Sequence, residues 1–287
     1  MGAAVTSLAF PVPPKSRYAE ALLKRPDLLY LETENEDRIA AVHVRRGARG
    51  TDRVILYSHG NAEDLGQRLH YLDMMSQLCA SDVLAYDYCG YGFSEGEPSE
   101  ENCIQCIDAA YAYLLQHFAP NRIVLFGRSI GTGPTVDLAV RHPEIRGVIL
   151  QSPIESCGRA VFGNLASWLG YRMDLFRNYE KVDKVECPVL VMHGTDDDIV
   201  PIESGMAIQE ENCGASPHQT PCCGADRCIK ACRKAVEPLW LEGYGHNDLP
   251  NEICLRRVRE FMDQMDGLSW GWNIFVTNLA THISVNL

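Results

Sequence analysis

No run of about 18 uninterrupted apolar residues occurs in the chain, which excludes a membrane-spanning helix of the length a bilayer requires. Positive charge is also scarce: 26 lysines and arginines face 38 aspartates and glutamates, for a formal net charge of -12. No block of clustered lysine or arginine breaks that balance. The pattern therefore argues against nucleic acid as a partner, because phosphate binding needs concentrated positive charge. The opening MGAAVTSLAFPVPPK has no basic start followed by a sustained apolar run, so no secretory signal peptide is expected. The 12 cysteines are accordingly expected in a reducing cytosolic setting, mostly as free thiols.

With 287 residues and 46% hydrophobic composition, the chain can bury a sizeable core as a single domain. From Leu28 onward, short β-rich runs alternate with longer amphipathic stretches, the pattern of strands separated by crossover helices. Strands are predicted at 28–34, 38–46, 53–60, 82–88, 122–127, 147–152, 188–194 and 237–243. Helices are predicted at 64–80, 100–118, 130–141, 203–211 and 251–265. Several strands are apolar at nearly every position, as strands covered on both faces should be. The expectation is an α/β fold with a mostly parallel sheet of about eight strands and helices on both faces. The first two strands can pair as a hairpin through Asn35, Glu36 and Asp37.

The body of the fold is expected over 28–265, between an N-terminal tail at 1–27 and a C-terminal tail at 266–287. Within it, 153–186 interrupts the alternation and reads equally as a small cap or as an ordinary packing helix. The stretch 212–234 reads as a cysteine-rich insertion.

Gly127-Arg128-Ser129-Ile130-Gly131 fits G-x-S-x-G, in which a sharp strand-to-helix turn lifts the serine Oγ out of the sheet. Alone the pentapeptide is weak, since serine is also a favoured helix N-cap. The context is stronger, because an acid and a histidine follow at later strand ends in the order serine, aspartate, histidine. The acid lies in HGTDDDIVP, where Asp196, Asp197 and Asp198 are adjacent and only one can point at an imidazole. The histidine is His246 in LEGYGHND, on a glycine-flanked loop after an apolar strand. In such a triad the histidine takes the serine proton while the acid fixes the imidazole tautomer. The oxyanion donors would be the backbone N–H groups of Ile130 and of Asn61 in SHGNAEDLG. Arg128 is read as structural, facing away from substrate.

SHGNAEDLGQ, YDYCGYGFSEGEPSE, GRSIGTGPTVDLA, HGTDDDIV and AVEPLWLEGYGHND together resemble the alpha/beta hydrolase domain-containing protein 17 family, over about residues 28 to 264. The resemblance implies the α/β-hydrolase fold and a serine hydrolase that removes palmitate from S-acylated proteins at membranes. It assigns nucleophile, acid and base to Ser129, Asp197 and His246, and so helps to select Asp197 among the three aspartates. No cofactor is required for this chemistry. A carboxylesterase or lipase acting on small or lipid esters is the nearest rival, because the same triad attacks oxygen esters. A non-catalytic ligand-binding member of the fold is a rival of another class.

Two features depart from the family pattern. Animal relatives carry an N-terminal cysteine cluster for palmitoylation, whereas the first cysteine here is Cys79. Instead, Met1 to Thr6 fits the myristoylation pattern M-G-x-x-x-[ST], with Gly2 as acceptor. One such chain anchors only marginally, so a second contact is expected from Leu8, Phe10 or the segment WGWNIFV. The expected location is the cytosol or the cytoplasmic face of membranes, held peripherally. The second departure is the insertion with Cys213, His218, Cys222, Cys223, Cys228 and Cys232. Thiolates with a histidine can hold zinc, but the spacing matches no standard zinc pattern, so a surface loop is the expected reading and a zinc site the alternative.

Overall fold

The computed structural model describes residues 10–14, 18–47, 52–162, 174–213 and 236–283. In chain order the main elements are α1 (Ala19–Leu23), β1 (Leu28–Glu32), β2 (Arg38–Val44), β3 (Val54–Ser58), α2 (Leu65–Cys79) and β4 (Asp82–Tyr86). They continue with α3 (Glu100–Leu115), β5 (Ile123–Arg128), α4 (Thr132–Arg141), β6 (Gly147–Gln151) and α5 (Cys157–Phe162). The last are β7 (Val189–Gly194), α6 (Ile202–Cys213), β8 (Leu239–Leu241) and α7 (Asn251–Ile283). Among the described residues no helix is long and apolar enough to cross a membrane.

The strands form one eight-stranded sheet in the order β1-β2-β4-β3-β5-β6-β7-β8. β2 runs antiparallel to both β1 and β4, and the pairs from β4 to β8 are parallel. The predicted hairpin is present, with Glu32 opposite Arg38. Period-two geometry sends alternate side chains to opposite faces. In β3, Ile55 and Tyr57 join Leu72, Met75, Val258 and Phe261 of α2 and α7. Val54 and Leu56 point the other way, into the cluster with Ile107 of α3 and Leu138 of α4. Both faces are therefore covered, which explains why the central strands carry almost no polar alternation.

The helices begin where side chains satisfy their exposed N–H groups. Asp64 accepts from the Gln67 N–H at 2.9 Å to start α2, and Ser99 accepts from the Asn102 N–H at 3.0 Å to start α3. α2 ends on Ala80 in the left-handed region, with φ +48°.

Two expectations are revised. The N-terminal stretch is not purely an appendage, because Phe10 is 3% exposed and packs edge-on against Phe176, with ring centroids 6.1 Å apart. Burying a phenylalanine is worth about 1.5–3 kcal/mol, so Phe10 belongs to the core rather than to a membrane contact. The last helix does not stop at 265 but continues to Ile283, so the boundary drawn between body and C-terminal tail falls inside α7. In the 153–186 segment, Phe176 covers Gly133 of α4, and Asn178 Nδ2 donates to the Ile154 carbonyl at 3.0 Å. Those flanks pack on the body, while the centre of the expected cap, 163–173, lies outside the described residues.

Candidate active site

The register levels the carboxyl ends of the parallel strands. Ser58 pairs with Gly127, Arg128 with Gln151, and Gly194 with Leu241. Ser129 follows β5, Asp197 follows β7 and His246 follows β8, so three segments distant in sequence open onto one edge of the sheet.

At the β5–α4 turn Ser129 has φ +53°, a left-handed conformation that a serine adopts only where its surroundings enforce it. The two glycines provide the enforcement. A Cβ on Gly127 would lie 2.6 Å from the Gly131 carbonyl oxygen, and one on Gly131 would lie 2.3 Å from the Ser58 carbonyl oxygen. Thr132 Oγ1 then donates to the Ser129 carbonyl at 2.6 Å.

The structure brings Ser129, His246 and Asp197 together. His246 Nε2 is 3.0 Å from Ser129 Oγ, and His246 Nδ1 is 2.7 Å from Asp197 Oδ2. Of the three adjacent aspartates, Asp197 is buried while Asp196 and Asp198 are exposed. Asp197 Oδ1 accepts the backbone N–H groups of Ile199 at 3.0 Å and Val200 at 2.8 Å. Burial pushes this carboxyl up, but donors from His193, His246 and Val200 outweigh it and hold the group well below the usual carboxylate range. An ionised acid facing Nδ1 fixes the proton there and leaves Nε2 free to accept from the serine.

Asn61 lies on the loop after β3, and the close packing of Gly131 on Ser58 and His59 seats that loop beside the serine turn. Tyr91 holds it by donating its hydroxyl to Asn61 Oδ1 at 2.8 Å, and Tyr88 donates to the His59 carbonyl at 2.7 Å. Ile130 is the residue after Ser129 in the same turn. The tyrosine-rich loop thus holds the loop that carries His59 and Asn61.

Arg128 turns away from the serine, as its place in the turn suggests. Its Nη1 pairs with the buried Glu63, which also binds Arg68, and its Nη2 donates to the His246 carbonyl at 3.1 Å and to Asn247 Oδ1 at 2.9 Å. Burial pushes Glu63 up, yet Arg128 and Arg68 outweigh it and lower its titration. Arg128 therefore ties the turn carrying Ser129 to the loop carrying His246. A cavity of about 30 Å³ lined by Arg68, Arg128, Gln151, His246 and Asn247 adjoins this network, far too small for an acyl group.

Gly2, Leu8, His218, Cys222, Cys223, Cys228 and Cys232 lie outside the described residues, and so do the side chains of Cys213 and of WGWNIFV. Among the described residues no cluster of three or more His, Cys, Asp or Glu could hold a metal. Sequence reasoning did not single out His193 or Glu63. The available signal for His193 was a polar residue ending the apolar run VLVM, four positions before the acid.

A curated relative, alpha/beta hydrolase domain-containing protein 17C of Homo sapiens, is 37% identical over 86% of this chain and 68% of its own length. The 17B protein of Xenopus tropicalis is 35% identical over 87% of this chain and 83% of its own. The chain belongs to the alpha/beta hydrolase domain-containing protein 17 family. A family profile described as serine aminopeptidase, S33 also matches residues 49–178 of this family member. Its fold recurs in an esterase of Pyrococcus furiosus, with TM-score 0.62 and 19% identity over 88% of this chain and 98% of that one. It recurs too in the esterase Est1E of Butyrivibrio proteoclasticus, solved with ferulic acid, with TM-score 0.62 and 17% identity over 83% and 99% of the two chains. Family membership and fold together make the chain an α/β-hydrolase-fold serine hydrolase.

Proposed function

We propose that the chain is a thioesterase that removes fatty acyl groups, palmitate foremost, from cysteines of membrane-associated proteins. The observation carrying this reading is the buried Ser129–His246–Asp197 chain, at 3.0 and 2.7 Å, in a member of this family. Ser129 Oγ attacks the thioester carbon as its proton passes to His246 Nε2, and Asp197 stabilises the imidazolium. The N–H groups of Ile130 and Asn61 receive the oxyanion. The tetrahedral intermediate collapses, the C–S bond breaks, and His246 returns the proton to the departing sulfur. Water, deprotonated by the same imidazole, then attacks the acyl-serine and releases the fatty acid while Ser129 regains its proton. No cofactor enters these steps.

The substrate reading implies a membrane surface, reached peripherally from the cytoplasmic side. Myristoylation at Gly2 is part of the proposal, and it needs a second contact because a single myristoyl chain binds only marginally. With Phe10 committed to the core, that contact falls to Leu8 or to WGWNIFV. Fractionation of Gly2→Ala checks this; a variant that stays on membranes as wild type does would remove the anchor.

The test of activity compares wild type with Ser129→Ala for labelling by a fluorophosphonate and for turnover of a palmitoyl-cysteine peptide and an oxygen ester. Labelling and thioester turnover that both need Ser129 are expected. Labelling with turnover of the oxygen ester alone would assign the chain to the esterases. Absence of Ser129-dependent labelling would favour a non-catalytic, ligand-binding role.

A further inference from the structure

Asp197 meets a second imidazole besides that of His246. His193 Nε2 lies 3.1 Å from Asp197 Oδ2, the same oxygen that accepts from His246 Nδ1 at 2.7 Å. His193 Nε2 also lies 2.9 Å from the Val200 carbonyl oxygen. Both partners of Nε2 are acceptors, so that nitrogen must carry the hydrogen and donate it. The other nitrogen, Nδ1, has no hydrogen-bond partner among the described residues and faces Gly205 of α6. A Cβ on Gly205 would lie 2.4 Å from Nδ1, so the ring is held against the helix backbone with no space for a larger residue. The ring is fully buried on β7, one of the interior strands of the sheet, whereas Asp197 sits on the turn that follows.

We propose that His193 is a positioning residue for the acid, anchoring Asp197 Oδ2 to the rigid sheet so that it stays aimed at His246 Nδ1. The inference rests on the catalytic reading of Ser129, His246 and Asp197. With His193 in place the carboxylate receives four donors: Ile199 and Val200 on Oδ1, His193 and His246 on Oδ2. These match the lone-pair sites of a carboxylate, so neither oxygen can rotate without breaking two bonds. Without His193, Oδ2 keeps only the imidazole of His246, and the turn from Thr195 to Val200 loses the side-chain bond from β7 to the Val200 carbonyl. The titratable groups meeting Asp197 are His193 from β7 and His246 from the loop after β8.

The experiment uses the full chain and a soluble assay, the rate of Ser129-dependent fluorophosphonate labelling together with hydrolysis of a short p-nitrophenyl ester. This choice keeps the result independent of whether palmitoyl thioesters are the substrate. His193→Leu is expected to lower kcat by about tenfold to a hundredfold with KM within twofold, the range typical of lost orienting partners. His193→Gln, whose amide N–H reaches the Nε2 position, is expected to recover most of the rate, while His193→Asn, whose amide reaches only the Nδ1 position, is not. In an Asp197→Asn background the additional effect of His193→Leu should fall below about twofold, since both changes remove one function. Three results would overturn the role: unchanged kcat in His193→Leu, equal rates for the Gln and Asn variants, or a full multiplicative loss in the Asp197→Asn background. If His193→Leu does not fold, the Gln and Asn pair decides alone. Wild-type protein without Ser129-dependent turnover would instead remove the triad itself, and this role with it.

Discussion

Replacing Arg128 with alanine offers the most exacting check on how the site is held. The residue is 6% exposed, and its side chain serves three acceptors at once: Glu63, the His246 carbonyl and Asn247 Oδ1. Stripping a buried carboxylate of its partner costs about 3–5 kcal/mol. Arg68 remains on Glu63 and recovers roughly half of that. The two orphaned acceptors add about 1 kcal/mol each. The expected loss is therefore about 3.5–4.5 kcal/mol, or roughly 7–18 °C in Tm for a chain of this size. A histidine loop displaced by about 1 Å costs on the order of a hundredfold in rate. Urea denaturation and ester turnover, measured on Arg128→Ala and Arg128→Lys, separate these effects. Lysine keeps a charge for Glu63 but cannot also reach His246 and Asn247, so it should restore stability better than rate. An alanine variant with a wild-type denaturation midpoint and a raised KM would refute the reasoning and place Arg128 against substrate.

Gly131→Ala should destabilise the fold by about 3 kcal/mol, because the new methyl meets the Ser58 and His59 carbonyl oxygens, neither of which can move independently of β3; a thermal melt checks this. Ionised Asp197 has a folded pKa below its unfolded value, so its contribution to stability is complete above the unfolded value and is lost as pH falls through the folded one. The stability difference between wild type and Asp197→Asn, read from urea curves, should accordingly shrink as pH falls below about 4; a constant difference would contradict the ionised assignment. Burial pushes the Cys79 thiol up to about 12 and the Cys254 thiol up to about 11, so iodoacetamide at pH 8 should modify neither until the protein is denatured.

Much of this architecture was legible in the chain. The interior strands are apolar because both faces are covered, so their runs stand out, and the G-x-S-x-G turn, weak alone, gains its meaning from the acid and histidine at later strand ends. β8 is shorter than the predicted 237–243, spanning Leu239–Leu241, because its ladder with β7 covers only those three residues; beyond it the flanks bond elsewhere, the Glu237 carbonyl accepting from Arg257 and Gly243 donating to Thr195 Oγ1. The burial of Phe10 could not be read from PVPP and its neighbours, since it depends on Phe176, which is distant in sequence. The same limit applies to the site. Ser129, Asp197 and His246 were found from their order and from family likeness, whereas the roles of Glu63 and Arg128 follow from contacts spanning 65 and 118 residues. His193 escaped because a histidine at a strand end reads as an ordinary buried residue until the geometry of Asp197 is known.

The placement of the triad on separate strand ends also has a consequence for the order of events as the chain is made. Ser129 and His246 are 117 residues apart, and the histidine loop follows a three-residue strand that, among the described residues, pairs only with β7. Contacts of such long range form late, because loop closure must precede them. A nascent chain emerging from the ribosome thus presents its serine turn well before it possesses a base. On the proposed catalytic reading, Ser129 lacks its base until β8, the last strand among the described residues, has paired with β7.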